Sequence, residues 1–217
     1  GDVLLPEKFI DVMHGNYHRD FTPPVEVASD VARSFDAGQG DFYCAFNISS
    51  RFLERSIEDN LQFSNTLTRG LDPSRIVLEL VESAVIRNPE KTRDLLRELR
   101  GRGLRIALDD FGTGFSNLER LQDYEFDIVK IDRRFVQGIG AQRADPGVLR
   151  AIFEMSCDMG FRLVAEGVEH EHELRRLQDI GIHDAQGYLL GRPQEVSYWR
   201  DRIAQPLPPG LCVKRSA

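Results

Sequence analysis

An α/β fold of the parallel, barrel-forming kind is what the sequence predicts, and three observations predict it. Short runs rich in Val, Ile and Leu alternate with longer stretches of helical periodicity, giving at least six βα units, the pattern of a parallel sheet covered by helices. No Gly-x-Gly-x-x-Gly follows a strand, which disfavours a dinucleotide-binding sheet. Polar residues recur at the carboxyl ends of the strands, the face on which a (β/α)8 barrel assembles its chemistry. At 217 residues the chain is short for such a barrel, which usually takes about 250. The expectation is a minimal TIM-like barrel over residues 1–204, or one with its N-terminal strands missing, followed by a tail over 205–217.

In order, residues 1–20 read as a loop-like start with a short helical stretch at 6–12 and a loop holding His14 and His18. Thr22-Pro-Pro24 opens a helix with Val27, Val31 and Phe35 at helical spacing. Asp41-Phe-Tyr-Cys-Ala-Phe-Asn-Ile-Ser-Ser50 is β-rich, with a helix from about residue 51. After the Asp72-Pro-Ser74 turn, residues 76–83 form a strand with Glu79 and Glu82 in its second half. Asn88-Pro89 fits an N-cap with Pro in the first turn of a charged helix, which Gly101 and Gly103 stop. The next strand ends at Asp109, and Ser116-Asn-Leu-Glu119 reads as a capping box. A strand over 126–132 carries Lys130. A helix from Pro146 to Asp158 has Val148, Leu149, Ile152, Phe153 and Met155 as its apolar stripe, read as core. A strand over 161–166 ends at Glu166, residues 171–179 are helical, 183–190 hold Gln186-Gly-Tyr188, and Pro193 starts a last helix through Trp199.

Composition narrows the function. With 41% apolar and 29% charged residues the chain is that of an ordinary globular domain. No apolar run approaches the roughly 18 residues that cross a bilayer, so no membrane contact is expected of this domain. A formal charge of −7 argues against DNA and other broad polyanions, which need a basic footprint. It leaves room for a small phosphodiester bound through metal ions. Cys44, Cys157 and Cys212 are far apart and odd in number. The first two, among apolar neighbours, suit buried free thiols in a reducing cytoplasm, and neither a disulfide framework nor a zinc site is expected.

The chemistry centres on Arg105-Ile-Ala-Leu-Asp-Asp-Phe-Gly-Thr-Gly-Phe-Ser116. Two adjacent acids at a strand end repel, so a divalent cation, a lysine or a raised pKa must offset the charge. Asn47, Glu79, Glu82, Asp109, Asp110, Lys130, Glu166, Glu169 and Gln186 all fall at or just past strand ends, which meet on one face of a parallel barrel. Donors that are carboxylates and an amide point to hard cations such as Mg²⁺ or Mn²⁺. Several acids with one shared carboxylate suit two ions about 3.5–4 Å apart, able to activate a water against a phosphodiester. Lys130 would add positive charge for the transition state or position the water, and Glu166 would be a second-ion ligand or general base. Glu169-His-Glu-His-Glu173 looks metal-like, but histidines two apart do not share a helix face, and the spacing is not that of a zinc protease.

These residues resemble a known family. Glu79-Leu-Val-Glu82-Ser83, Asp109-Asp-Phe-Gly-Thr-Gly114, Lys130-Ile-Asp132, Val164-Ala-Glu-Gly-Val-Glu169 and Gln186-Gly-Tyr-Leu-Leu-Gly-Arg-Pro193 are similar to the motifs of EAL-domain cyclic-di-GMP phosphodiesterases, in the same order, and Asn47-Ile-Ser49 resembles that family's Asn-hydroxyl strand end. The resemblance implies a TIM-like barrel that hydrolyses cyclic di-GMP to linear pGpG. It implies that Asn47, Glu79 and Asp109 bind metal, with Asp109 bridging two ions, and that Asp110 and Glu166 serve the second. Lys130 and Gln186 would orient the water or a phosphate. Glu82 would anchor the 111–116 loop, and Glu169, Tyr188, Arg192 and Pro193 would line or support the nucleotide pocket. A cytoplasmic homodimer attached to an upstream sensory or cyclase-like domain is implied as well. The family's Glu-Ala-Leu strand is absent: residues 5–10 look like the segment just after it. The resemblance thus places one metal ligand and one arginine outside this chain. It implies activity for a parent protein that has them and a weaker metal site here, the alternative being an inactive cyclic-di-GMP receptor.

Overall fold

Runs of aliphatic residues form the strands, and the amphipathic stretches between them form helices. The computed structural model describes residues 43–48, 50–81, 89–112, 118–137, 139 and 146–192. The order is β1 (Cys44–Ile48), α1 (Ser50–Glu54), α2 (Ile57–Leu67), a 3₁₀ turn (Pro73–Arg75), β2 (Ile76–Val81), α3 (Pro89–Gly101), β3 (Arg105–Phe111), α4 (Leu118–Tyr124), β4 (Ile128–Ile131), α5 (Arg133–Val136), α6 (Pro146–Met159), β5 (Arg162–Ala165), α7 (Glu171–Ile180) and β6 (Asp184–Ala185).

The strands lie in one sheet in the order β1-β2-β3-β4-β5-β6, and the β3–β4, β4–β5 and β5–β6 pairings are parallel. Sheet order that follows chain order, with helices between strands, is the winding of a (β/α) barrel. A doubly wound nucleotide-binding sheet reverses its order part-way. The α/β, barrel-type expectation from the sequence holds. The helices at 6–12 and 25–35, the proposed cap at Ser116, the last helix from Pro193 and the 205–217 tail lie outside the described residues.

The chain separates into two compact units, one of Gly1–Glu79, Glu90–Arg105 and Pro193–Ala217, the other of Leu80–Pro89 and Ile106–Arg192. In the first, Phe52 and Phe63 meet edge to face with centroids 5.0 Å apart. Phe46, Leu67, Ile76, Leu78, Leu95 and Leu99 are buried with Phe52. Burial pushes the Cys44 thiol up to about 12, so it is an inert core residue. Ser56 caps α2 by accepting the Asp59 N–H at 3.1 Å.

In the second unit Ile106, Ala107, Val129, Ile131, Val164 and Ala165 fill the strands, each buried. Two expectations are corrected here. Val148 is 46% exposed and Cys157 is exposed. The buried side of α6 runs through Leu149, Ile152 and Ser156 at helical spacing, and positions 148 and 157 turn about 100° off that line.

Candidate metal centre

Ala107 pairs with Ile128 and Leu108 with Val129, but Phe111 pairs with Ile131. Three steps along β3 thus match two along β4. The extra residue is a bulge at Asp109 and Asp110, and Asp110 takes it up with a left-handed φ of 56°. Strict alternation would send adjacent side chains to opposite faces. With the bulge, one carboxylate oxygen each from Asp109, Asp110 and Glu166 come within 4.8 Å of one another. The strand expected to stop at Asp109 therefore runs two residues further.

β4 sends Lys130 into this group. Its Nζ lies 3.0 Å from Asp109 Oδ1 and 2.6 Å from Glu166 Oε1, and the residue is 3% exposed. A buried ammonium needs such partners. Asp109 Oδ1 also accepts the Asp110 N–H at 3.1 Å. The Asp110 carboxyl is held above its ordinary value by burial, then by the charges of Asp109 and Asp132, with Lys130 and Arg134 acting the other way. Two of the three remedies foreseen for the paired acids, a lysine and a raised pKa, are thus in place.

β5 delivers Glu166, whose N–H donates to the Ile131 carbonyl at 3.0 Å. The chain then returns to β6: the Gln186 N–H donates to the Ala165 carbonyl at 2.8 Å and its carbonyl accepts the Val168 N–H at 3.0 Å. The Gln186 side-chain Nε2 is buried without a hydrogen-bond partner, a donor suited to a phosphate oxygen or a water. Tyr188 is 48% exposed, and the Arg192 guanidinium stands 4.6 Å over its ring. Glu169 is exposed, and its N–H and that of His170 both donate to Glu173 Oε2, at 2.9 and 3.0 Å.

The structure thus gathers Asp109, Asp110, Lys130 and Glu166. Asn47, half-buried on β1, and Glu79, 3% exposed on β2, belong to the other unit. Glu82 and Pro193 lie outside the described residues. His170 and His172 stack, with centroids 5.4 Å apart. The helix-face argument fails for them because His170 is the extended N-cap of α7, yet they join no three-donor group among the described residues. The sequence offers Asp132 only as the end of the Lys130-Ile-Asp132 motif, with no role; it caps α5 through the Arg134 N–H at 2.9 Å and bears on Asp110. An acid between a strand and a helical segment is the N-cap signal that marks it.

Three carboxylates within reach of one another fit a hard divalent cation. Each has two oxygens, so a lysine on one oxygen of Asp109 and one of Glu166 does not exhaust either acid.

The EAL domain family model matches residues 1–193. The cyclic di-GMP phosphodiesterase RocR of Pseudomonas aeruginosa is 36% identical over 159 residues, 72% of this chain and 40% of RocR. The structure of the PaMucR phosphodiesterase in complex with c-di-GMP superposes with a TM-score of 0.74 at 30% identity, covering 82% of this chain and 74% of that one. Klebsiella pneumoniae BlrP1, in a manganese/cy-diGMP complex, superposes at 0.70 and 27% identity, covering 85% of this chain and 47% of that one. The chain spans less than half the length of the curated relatives it matches, 19%, 23% and 40% of three of them.

Proposed function

The chain belongs to the EAL-domain family, and from that membership we propose that the domain, completed by the Glu-Ala-Leu strand that the resemblance places outside this chain, hydrolyses cyclic di-GMP to linear pGpG with Mg²⁺ or Mn²⁺ as cofactor. The observation that carries the reading is the group at three consecutive strand ends: Asp109, Asp110 and Glu166 within 4.8 Å of one another and Lys130 between two of them. Asp109, Asp110 and Glu166 would hold the ions. Asn47 and Glu79 join them on the sequence resemblance alone. A bound ion pair supplies a water of lowered pKa and charge to stabilise the leaving oxygen.

The chain's own residues supply the rest. Because pGpG keeps its phosphate on a 5′ oxygen, the water oxygen bonds to phosphorus and the bond to the 3′ oxygen breaks. Glu166 takes the proton of the attacking water, and solvent reprotonates the departing 3′ oxygen. Lys130 offsets the charge that builds on the phosphoryl oxygens. The Gln186 side-chain Nε2, buried without a hydrogen-bond partner, orients the water or a phosphate oxygen. The Tyr188 ring with Arg192 over it offers a flat surface for a guanine base, which Glu169 and Pro193 support, and Glu82 anchors the 111–116 loop. A homodimer, an attached sensory or cyclase-like domain and a cytoplasmic location complete the reading. The lengths of the relatives support the additional domain.

The test is chromatography of cyclic di-GMP incubated with the complete domain, the Glu-Ala-Leu strand included, and Mn²⁺. The expected product is pGpG, absent in EDTA and absent with Asp109→Asn. Nucleotide that stays bound and uncut in Mn²⁺ would replace the enzyme with a receptor.

A further inference from the structure

The two turns that carry the acids come from strands separated by β4, so something must hold them at matched positions. Lys130 reaches Asp109 at 3.0 Å and Glu166 at 2.6 Å at once, and a shift of about 1 Å in either turn would break one contact. The short helix α5 stands between them and touches both.

On the β3 side, the Asp132 N–H donates to the Phe111 carbonyl at 3.5 Å. Gly112, at φ +92°, packs on Phe135 so closely that a Cβ there would lie 2.6 Å from the ring Cζ. On the β5 side, the Glu166 N–H donates to the Ile131 carbonyl at 3.0 Å. Gly167, at φ +66°, meets Arg133, and a Cβ there would lie 2.5 Å from the Arg133 Cβ. Real side-chain carbons do not approach so closely, so each turn rests directly on α5. The helix itself is fixed from below by Val136, which is wholly buried. It is fixed at its start by Asp132, whose Oδ1 accepts the Arg134 N–H at 2.9 Å and Nε at 2.8 Å.

We infer that α5 is a wedge that sets the spacing between the Asp109–Gly112 and Glu166–Gly167 turns, with Phe135 and Arg133 as positioning residues for the carboxylate group. Glycine is required on both flanks because each turn has no room for a side chain against the wedge. That the spacing serves a cation rests on the proposed function; the mechanical coupling of the turns stands apart from it. Displacing α5 on one side must move the turn on the other.

Hydrogen exchange read by mass spectrometry decides it. Gly167→Ala pushes on Arg133 and should speed exchange about tenfold in the peptide over 105–112 as well as in its own. Phe135→Ala, which removes the ring and adds no strain, should do so at both turns. Leu177→Ala, a cavity variant of a fully buried α7 residue, destabilises without singling out either turn. Effects of Gly167→Ala confined to its own peptide, or a Phe135→Ala profile equal to that of Leu177→Ala, overturn the wedge. In parallel, Mn²⁺ affinity from the free-ion resonance signal should fall about tenfold in Phe135→Ala and stay unchanged in Leu177→Ala. A wild-type protein that binds no Mn²⁺ overturns the metal reading, while the exchange data still decide the wedge.

Discussion

Asp109 Oδ1 takes two donors, Lys130 Nζ and the Asp110 N–H, so Lys130 is what makes three crowded acids tolerable. Lys130→Met should cost about 3 kcal/mol of stability in EDTA, the scale for stripping one partner from a buried pair. Mn²⁺ should restore part of it, as read by urea unfolding with and without the ion. An unchanged unfolding midpoint would contradict the pairing. Asp110 gives a pH test. Its pKa is raised in the folded chain above the ordinary 3.8, by burial first and then by Asp109 and Asp132. The native state therefore binds more protons than the unfolded one just above that value. The charge costs nothing below 3.8 and its full penalty applies above the raised pKa. Asp110→Asn in EDTA should raise the unfolding temperature more at pH 7 than at pH 3, and equal gains at both would refute the assignment. The acids stood out in the sequence because carboxylates and a lysine recur at the ends of several separate aliphatic strands. The left-handed turn at Asp110 did not, since it depends on the register between β3 and β4.

Helices and strands were legible to within a few residues wherever a local rule decides them. Asp72 begins the 3₁₀ turn by accepting the Ser74 N–H, and Gly103 follows α3 with φ +90°. Strand ends were less so: residues 126–132 were expected in β4, which spans Ile128–Ile131. Asp127 instead turns its Oδ2 to accept the Ile106 N–H at 2.9 Å, a tertiary bond that no spacing announces. The contact of Phe135 with Gly112 is of the same kind. Caps are the elements' own test. Ser56→Ala, which removes the acceptor for Asp59 at the start of α2, should lower stability by about 1 kcal/mol and leave the proposed phosphodiesterase turnover of the complete domain unaltered. A loss of turnover beyond the loss of folded protein would tie α2 to catalysis.

For the molecule as a whole, a formal charge of −7 would repel the proposed dianionic nucleotide, a repulsion that the proposed cations would offset. Mn²⁺ at a hundred times its dissociation constant should stabilise the protein by about 2.7 kcal/mol, and a melting curve indifferent to Mn²⁺ would count against the centre. The overall winding was legible because alternating strands and helices admit few topologies. The division into two units was not, because it reflects how densely distant segments touch. Among the described residues, each strand from β3 to β6 bonds to its neighbours in the chain. Sheet growth there never waits for a remote partner, and loop closures stay short. A nascent polypeptide emerging from the ribosome thus holds every residue of the Asp109–Lys130–Glu166 group as soon as residue 166 is out. The centre can take form during synthesis, before the carboxyl-terminal segments exist.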